Sequence, residues 1–232
     1  MVLVAPSLGA ANLARLGEQL EIIRQAGARM IHLDVSDGHF ARDVGFGVPV
    51  VESIRKVTEL TLDVHLLVER PERFVRDFAA AGADRIAIHP ESTSNLYGIL
   101  RLIRSQGLVP GVALDAGTPL GSIREVVGDL DFLNVLSADP GGAEEDFIPH
   151  STSKVKGAAE FRAQCEATFS LQVEGAVDLG RLPELVRAGA NIIVVSAACL
   201  GQPDPGASLK EFIRRAAEAE ELEKAESHLR ES

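Results

Sequence analysis

Cysteine is scarce. Only Cys165 and Cys199 occur, without the spacing of a metal site, so a disulfide framework is not expected and the compartment is expected to be reducing. No apolar run reaches the roughly 18 residues that a membrane-spanning helix needs, and no basic stretch followed by an apolar one opens the chain. Positive charge is also short: the formal net charge is -11 and the pI is near 5.0, which leaves no electrostatic footprint for nucleic acid or an anionic membrane surface. A soluble, cytoplasmic protein with a small-molecule partner is the expectation. Nothing reads as a linker, so 232 residues with 46% hydrophobic content are expected to form a single domain.

What is present is a repeat. Ala26-Gly27-Ala28, Ala81-Gly82-Ala83, Gln106-Gly107-Leu108 and Ala188-Gly189-Ala190 each follow a helix-like stretch and lead into an aliphatic run. That is the pattern of a glycine closing a helix before a buried strand. The spacings between these glycines are roughly two, one and three multiples of about 27 residues, the length of one strand-helix unit. Eight strands follow: Val2–Ala5, Met30–Val35, Thr61–Leu66, Arg85–His89, Val109–Leu114, Phe132–Leu136, Phe169–Val173 and Ile192–Ser196. Helical patterns fall at Leu13–Arg24, Pro49–Lys56, Pro71–Ala81, Leu96–Ser105, Leu120–Val127, Lys154–Cys165, Leu179–Ala188 and from Leu209 onward, the Ala/Glu-rich tail forming the last helix and a solvated end. Strict alternation implies a parallel sheet, and eight units in this length favour a (β/α)8 TIM barrel over an open sheet.

In such a barrel, chemistry is built at the C-terminal ends of the strands. Those ends carry Ser7, His32 with Asp34, His65, His89, Asp115, Ser137, Glu174 and Ser196, in strand order one to eight. Period-2 alternation sends His32 and Asp34 to one face of the second strand, where they can share a cation. Two imidazoles and two carboxylates converging from strands two, three and seven suit a divalent ion such as Zn, Mn, Fe or Co. Asp37, before Gly38, reads as turn chemistry.

From Ala5-Pro6-Ser7 to about Leu200, the chain resembles the ribulose-phosphate 3-epimerase family. The matching stretches are Ala5-Pro6-Ser7 with Ala14-Arg15-Leu16-Gly17, His32-Leu33-Asp34-Val35 with Asp37-Gly38-His39-Phe40, Phe46-Gly47 with Pro49-Val50-Val51, Asp63-Val64-His65 and Asp139-Pro140-Gly141. The resemblance implies proton exchange at a carbon next to a carbonyl, assisted by a metal ion, with one carboxylate removing a proton and a second returning one. It makes His32, Asp34, His65 and Glu174 the metal ligands, and Asp34 and Glu174 the acid/base pair. Ser7 becomes a substrate contact and His89 a group behind the ligands. It also suggests a homo-oligomer.

The chain departs from the family's pattern in places. Glu174 stands where the family has an aspartate, and Ser36, Leu67 and Leu136 replace methionines lining the site. The three glycine-rich turns that cradle a phosphate through bare backbone N–H groups read here as Gly141-Gly142-Ala143-Glu144, Gly175-Ala176 and Ser196-Ala197, with Glu145 and Asp146 adding charge and Asp115 a further acid at the mouth. Substrate contacts are therefore expected from Ser7, His89, Asp115, Ser137, Gly141, Gly142, Glu144, Gly175 and Ser196. The first expectation is a metal-dependent epimerase acting on a non-phosphorylated or amino-bearing sugar or cyclitol. The alternatives are an ordinary D-ribulose-5-phosphate 3-epimerase and a non-catalytic barrel that binds a ligand or partner.

Overall fold

The computed structural model of the chain describes residues 1–140 and 146–231. Its strands are β1 (Leu3–Pro6), β2 (Met30–Ser36), β3 (Thr61–Leu67), β4 (Arg85–Ile88), β5 (Val109–Leu114), β6 (Phe132–Leu136), β7 (Ser170–Glu174) and β8 (Ile192–Val195). The helices are α1 (Leu16–Ala26), α2 (Val48–Arg55), α3 (Val75–Ala80), α4 (Leu96–Ser105), α5 (Ser151–Gln164), α6 (Leu182–Arg187) and α7 (Pro205–Glu231). Every ladder is parallel, in the order β1-β8-β7-β6-β5-β4-β3-β2. The remaining seam, between β1 and β2, is bridged by Ser7 against His32, so the sheet forms a nearly closed (β/α)8 barrel. The bridge lies at the C-terminal end of β1, beside the expected site. No described helix is long and apolar enough to cross a membrane.

The main core lies between the sheet and the ring of helices. Outward-facing Ile31, Leu33, Leu62, Val64, Ile86, Val112, Leu133 and Val135 are fully buried there with helical Ile23, Ile103 and Leu185. Each fully buried aliphatic side chain contributes about 1.5–3 kcal/mol relative to exposure, so this layer holds the strands in place while their inward residues remain available for chemistry. Gly27 ends α1 at φ 95°, and its N–H bonds the carbonyls of Ile23 and Arg24. The repeated glycines 82, 107 and 189 share the same left-handed backbone.

Several elements differ from the sequence-based expectation. The fifth connection is a 3-10 helix, Leu120–Asp129, where Gly121, Gly128 and β-branched Ile123, Val126 and Val127 weaken the α-helix. The third connection divides into a 3-10 turn, Pro71–Arg73, and the short α3. The last helix begins earlier, at Pro205, because Asp204 Oδ1 accepts from Ala207 N–H at 2.9 Å and proline fits a first turn. Leu209, Phe212, Ala216 and Ala219 of α7 are buried. Glu220 binds the Met1 ammonium at 2.8 Å and the Val2 N–H at 2.9 Å, which ties the chain start to the last helix.

Candidate active site

Because alternate strand residues point inward, the barrel interior is filled in layers. Arg85 lies over the Phe132 ring, 3.8 Å from its centroid. Gly111 makes this fit possible, since a Cβ there would meet Phe132 Cζ at 2.2 Å. Directly opposite Arg85 in the β3–β4 register, Asp63 pairs with Arg85 Nε at 3.3 Å and accepts from Gln172 Nε2 and His32 Nδ1, each at 2.9 Å. A carboxylate only accepts here, so the proton of His32 is on Nδ1 and Nε2 faces the top of the barrel. Burial works against the charged form of Asp63, but Arg85 and His32 hold it below the usual carboxylate range.

Above this layer, four side chains form a ring. His32 Nε2 lies 3.2 Å from Asp34 Oδ1 and 3.2 Å from Glu174 Oε2, and His65 Nδ1 lies 3.2 Å from the same two oxygens. The register explains the convergence, because Asp34 pairs with His65 across β2 and β3 and Glu174 ends β7. The imidazoles are fully buried, whereas the carboxylates of Asp34 and Glu174 are 30% and 13% exposed. Burial disfavours the imidazolium of His32, yet Glu174 and Asp34 outweigh it and hold the group well above its ordinary value. The same opposition leaves His65 pushed up to about 9. Burial would raise Asp34 and Glu174, but the two histidines, His32 foremost, hold both below the usual range.

The ring fits a metal ion. One donor atom from each of the four residues lies within 4.8 Å of the others, and ligands on a tetrahedral ion with bonds of about 2.0–2.2 Å are about 3.3–3.6 Å apart. The four 3.2 Å separations sit close to that spacing, and the mixed N/O donor set suits a divalent transition ion. The partners behind the ligands orient them. Asp63 fixes His32; Ser7 Oγ donates to Asp34 Oδ2 at 3.0 Å; Asn134 Nδ2 donates to Glu174 Oε2. His65 Nε2 lies 2.9 Å from His89 Nε2, whose Nδ1 is 3.7 Å from Glu91. Burial lowers His89, so neutral His89 accepts from His65 and leaves His65 Nδ1 facing the ring.

A cavity of about 650 Å³ opens at this end of the barrel, and Ser7, Asp34, His65, Glu174, Gly175 and Ser196 line it. Other expected contacts lie elsewhere. Ser137 is fully buried, its hydroxyl bonded to the carbonyls of Glu174 (2.9 Å) and Gly175. His89 is behind His65, outside the cavity lining. Asp115 is also outside the lining; its carboxylate accepts from Ala116 N–H at 2.7 Å and its carbonyl accepts from Lys154. Gly141, Gly142 and Glu144, with the whole of the first expected phosphate turn, lie outside the described residues. Asp37 does turn work, accepting from the N–H groups of His39 (2.8 Å), Phe40 (2.9 Å) and Glu69 (2.8 Å).

The second turn keeps its shape despite its alanine. Gly175 has φ 108° and a Cβ there would come within 2.6 Å of Ala138 N, while Ala176 adopts φ 49°. An alanine in this region costs about 1 kcal/mol, so the surrounding structure imposes the backbone. Sequence reasoning missed Asp63, Asn134 and Gln172 behind the ring, and Asp43, Asp139, Asp178 and Arg181 on the cavity wall. Inward alternation within apolar Phe132–Leu136 could have found Asn134. No local signal marks Arg181.

A model of the ribulose-phosphate 3-epimerase family matches residues 3–200. A ribulose-phosphate 3-epimerase from Bacillus subtilis is 36% identical over 213 residues, covering 91% of this chain and 98% of that protein. A chloroplastic ribulose-5-phosphate-3-epimerase from Arabidopsis thaliana is 36% identical over 211 residues, covering 90% of this chain and 75% of that protein. Among solved structures, a mutant tryptophan synthase α-subunit from Pyrococcus furiosus superposes with a TM-score of 0.67 at 14% identity, covering 93% of this chain and 97% of that one. This last likeness concerns the barrel alone.

Proposed function

Because this chain belongs to the ribulose-phosphate 3-epimerase family, we propose that it inverts the carbon next to the carbonyl of a phosphorylated ketopentose, D-ribulose 5-phosphate. The sequence-based expectation placed a neutral or amine-bearing sugar first. Two features favour the phosphorylated substrate: identity to enzymes named for it extends over nine-tenths of the chain, and the turn at Gly175–Ala176 retains a left-handed backbone in spite of its Cβ.

The ring of His32, Asp34, His65 and Glu174 carries the proposal. These four residues would hold a divalent ion, which when bound polarises the carbonyl and offsets the negative charge that develops as the neighbouring proton leaves. Asp34 and Glu174 supply the two carboxylates that inversion needs. One removes the proton on one face of the substrate, and the other, carrying a proton, returns it on the opposite face. Inversion needs one proton on the pair during turnover, and which carboxylate carries it decides which epimer reacts. Ser7 and Asn134 each fix one of these carboxylates by a hydrogen bond, so both oxygens are held before substrate arrives.

Turnover of D-ribulose 5-phosphate with metal supplied, accompanied by wash-in of one solvent deuterium at the epimerised carbon, tests the proposal. Exchange confined to unphosphorylated or amino-bearing ketoses would support the other substrate class, which the acids Asp43, Asp139 and Asp178 on the cavity wall favour. No exchange with any ketose, in protein shown to hold metal, would leave the barrel as a binding protein.

A further inference from the structure

The described residues lining the cavity include five carboxylates, those of Asp34, Asp43, Asp139, Glu174 and Asp178, but a single guanidinium, that of Arg181. Asp34 and Glu174 belong to the ring, so an anionic substrate end placed away from it meets acids at every charged position except one. We infer that Arg181 is the specificity-determining cation of this cavity, taking the phosphate of the substrate. The inference rests on the phosphorylated-substrate reading above.

The side chain is held for such a role. Asp178 Oδ1 accepts from the backbone N–H of Arg181 at 2.8 Å, and its Oδ2 accepts from Nη1. The guanidinium carbon lies over the Phe147 ring, 4.7 Å from the centroid. One bond and one stacking contact therefore fix the plane of the guanidinium. Among the described residues no acceptor is bonded to Nε or Nη2, and this open edge has the fork geometry that receives two phosphate oxygens. Position supports the same role. Arg181 follows the Gly175–Ala176 turn of β7, and Phe147 follows the loop after β6, so the cation joins the two connections nearest Glu174. Where alanine and acidic residues occupy turns expected to be glycine-rich, a fixed arginine restores the charge balance that bare backbone groups would otherwise supply alone.

The test compares wild type with Arg181→Met, which keeps an apolar stem for Phe147, and with Arg181→Lys, all loaded with metal. For D-ribulose 5-phosphate, the methionine variant is expected to raise KM by about 10- to 100-fold, the range for losing a charged hydrogen bond, with the change in kcat within about threefold. The lysine variant recovers part of this, because it restores the charge without the fork. Independently of turnover, calorimetric binding of inorganic phosphate should weaken at least 10-fold in Arg181→Met, while metal content stays the same. If wild type turns over ribulose 5-phosphate and Arg181→Met does so with KM and phosphate affinity within twofold of wild type, the assignment of Arg181 is overturned and the substrate reading stands. If wild type neither turns over ribulose 5-phosphate nor binds phosphate, both fall. If it binds phosphate through Arg181 without that turnover, the cation assignment stands and the substrate reading fails.

Discussion

Shortening Glu174 to aspartate is the most direct trial of the ring geometry, because aspartate is the residue the family resemblance leads one to expect there. Glu174 Oε2 lies 3.2 Å from both His32 Nε2 and His65 Nδ1. Removing one methylene draws the carboxylate back by about 1.3 Å if β7 does not move, so both gaps open to about 4.5 Å. In the metal-free ring, at an effective dielectric of 20, each contact with a charged imidazole then weakens by about 1.5 kcal/mol, or about 3 kcal/mol for the two. In the metal-loaded enzyme, misplacing a reacting group by about 1 Å costs roughly 10²-fold in rate, equivalent to about 2.7 kcal/mol. The hydrogen bond from buried Asn134 to Glu174 is also lost, at about 1–3 kcal/mol of stability. Glu174→Asp is therefore expected to lower kcat about 10²-fold, to weaken metal binding at least 10-fold, and to lower the melting temperature modestly. Initial-rate kinetics, titration with the metal and a thermal melt read these separately. If the variant turned over as fast as wild type with unchanged metal affinity, β7 would be delivering either side chain to the same point, and the reasoning from side-chain length would be wrong.

Two further tests address the support behind the ring and the state of the thiols. Asp63→Asn keeps the shape of a fully buried side chain but strips the charge facing Arg85 and His32. Denaturant melts should show a loss of about 3–5 kcal/mol and metal titration a loss of about 10- to 100-fold; a variant as stable and as tight as wild type would remove Asp63 from any positioning role. Cys199 is fully buried, and burial pushes its thiol up to about 12. A thiol reagent at pH 8 should therefore label only half-buried Cys165 in the native protein, with Cys199 reacting after denaturation, and two thiols reacting at once under native conditions would contradict this packing.

Much of the barrel was legible because its signals are local. The glycine that closes α1 and its three counterparts each need only a few neighbours to be recognised, and they set the unit length from which the other strands follow. His32 and Asp34 share a face because pleating alternates side chains along a single strand. Glu174 was reachable because it ends its strand, and His65 because it is an imidazole set among aliphatic residues near the C-terminal end of its strand. The connection after β5 was less legible. There the apolar spacing indicates a helix but does not distinguish an α-helix from the 3-10 form that its glycines and branched residues produce.

The sequence by itself determined the repeating unit, the inward positions on each strand and the chemical types that could meet at the barrel mouth, since these depend on backbone periodicity and on the order of residues. Tertiary structure decided which of those positions share a layer. The register between strands sets Asp63 behind His32 and Asn134 behind Glu174, and the curl of the whole sheet brings β7 to β2 and β3. The folding of the loops turns Ser137 toward backbone carbonyls and Arg181 onto Phe147. Register and closure result from the packing of all eight units together, and no stretch of the chain short enough to be read alone contains them.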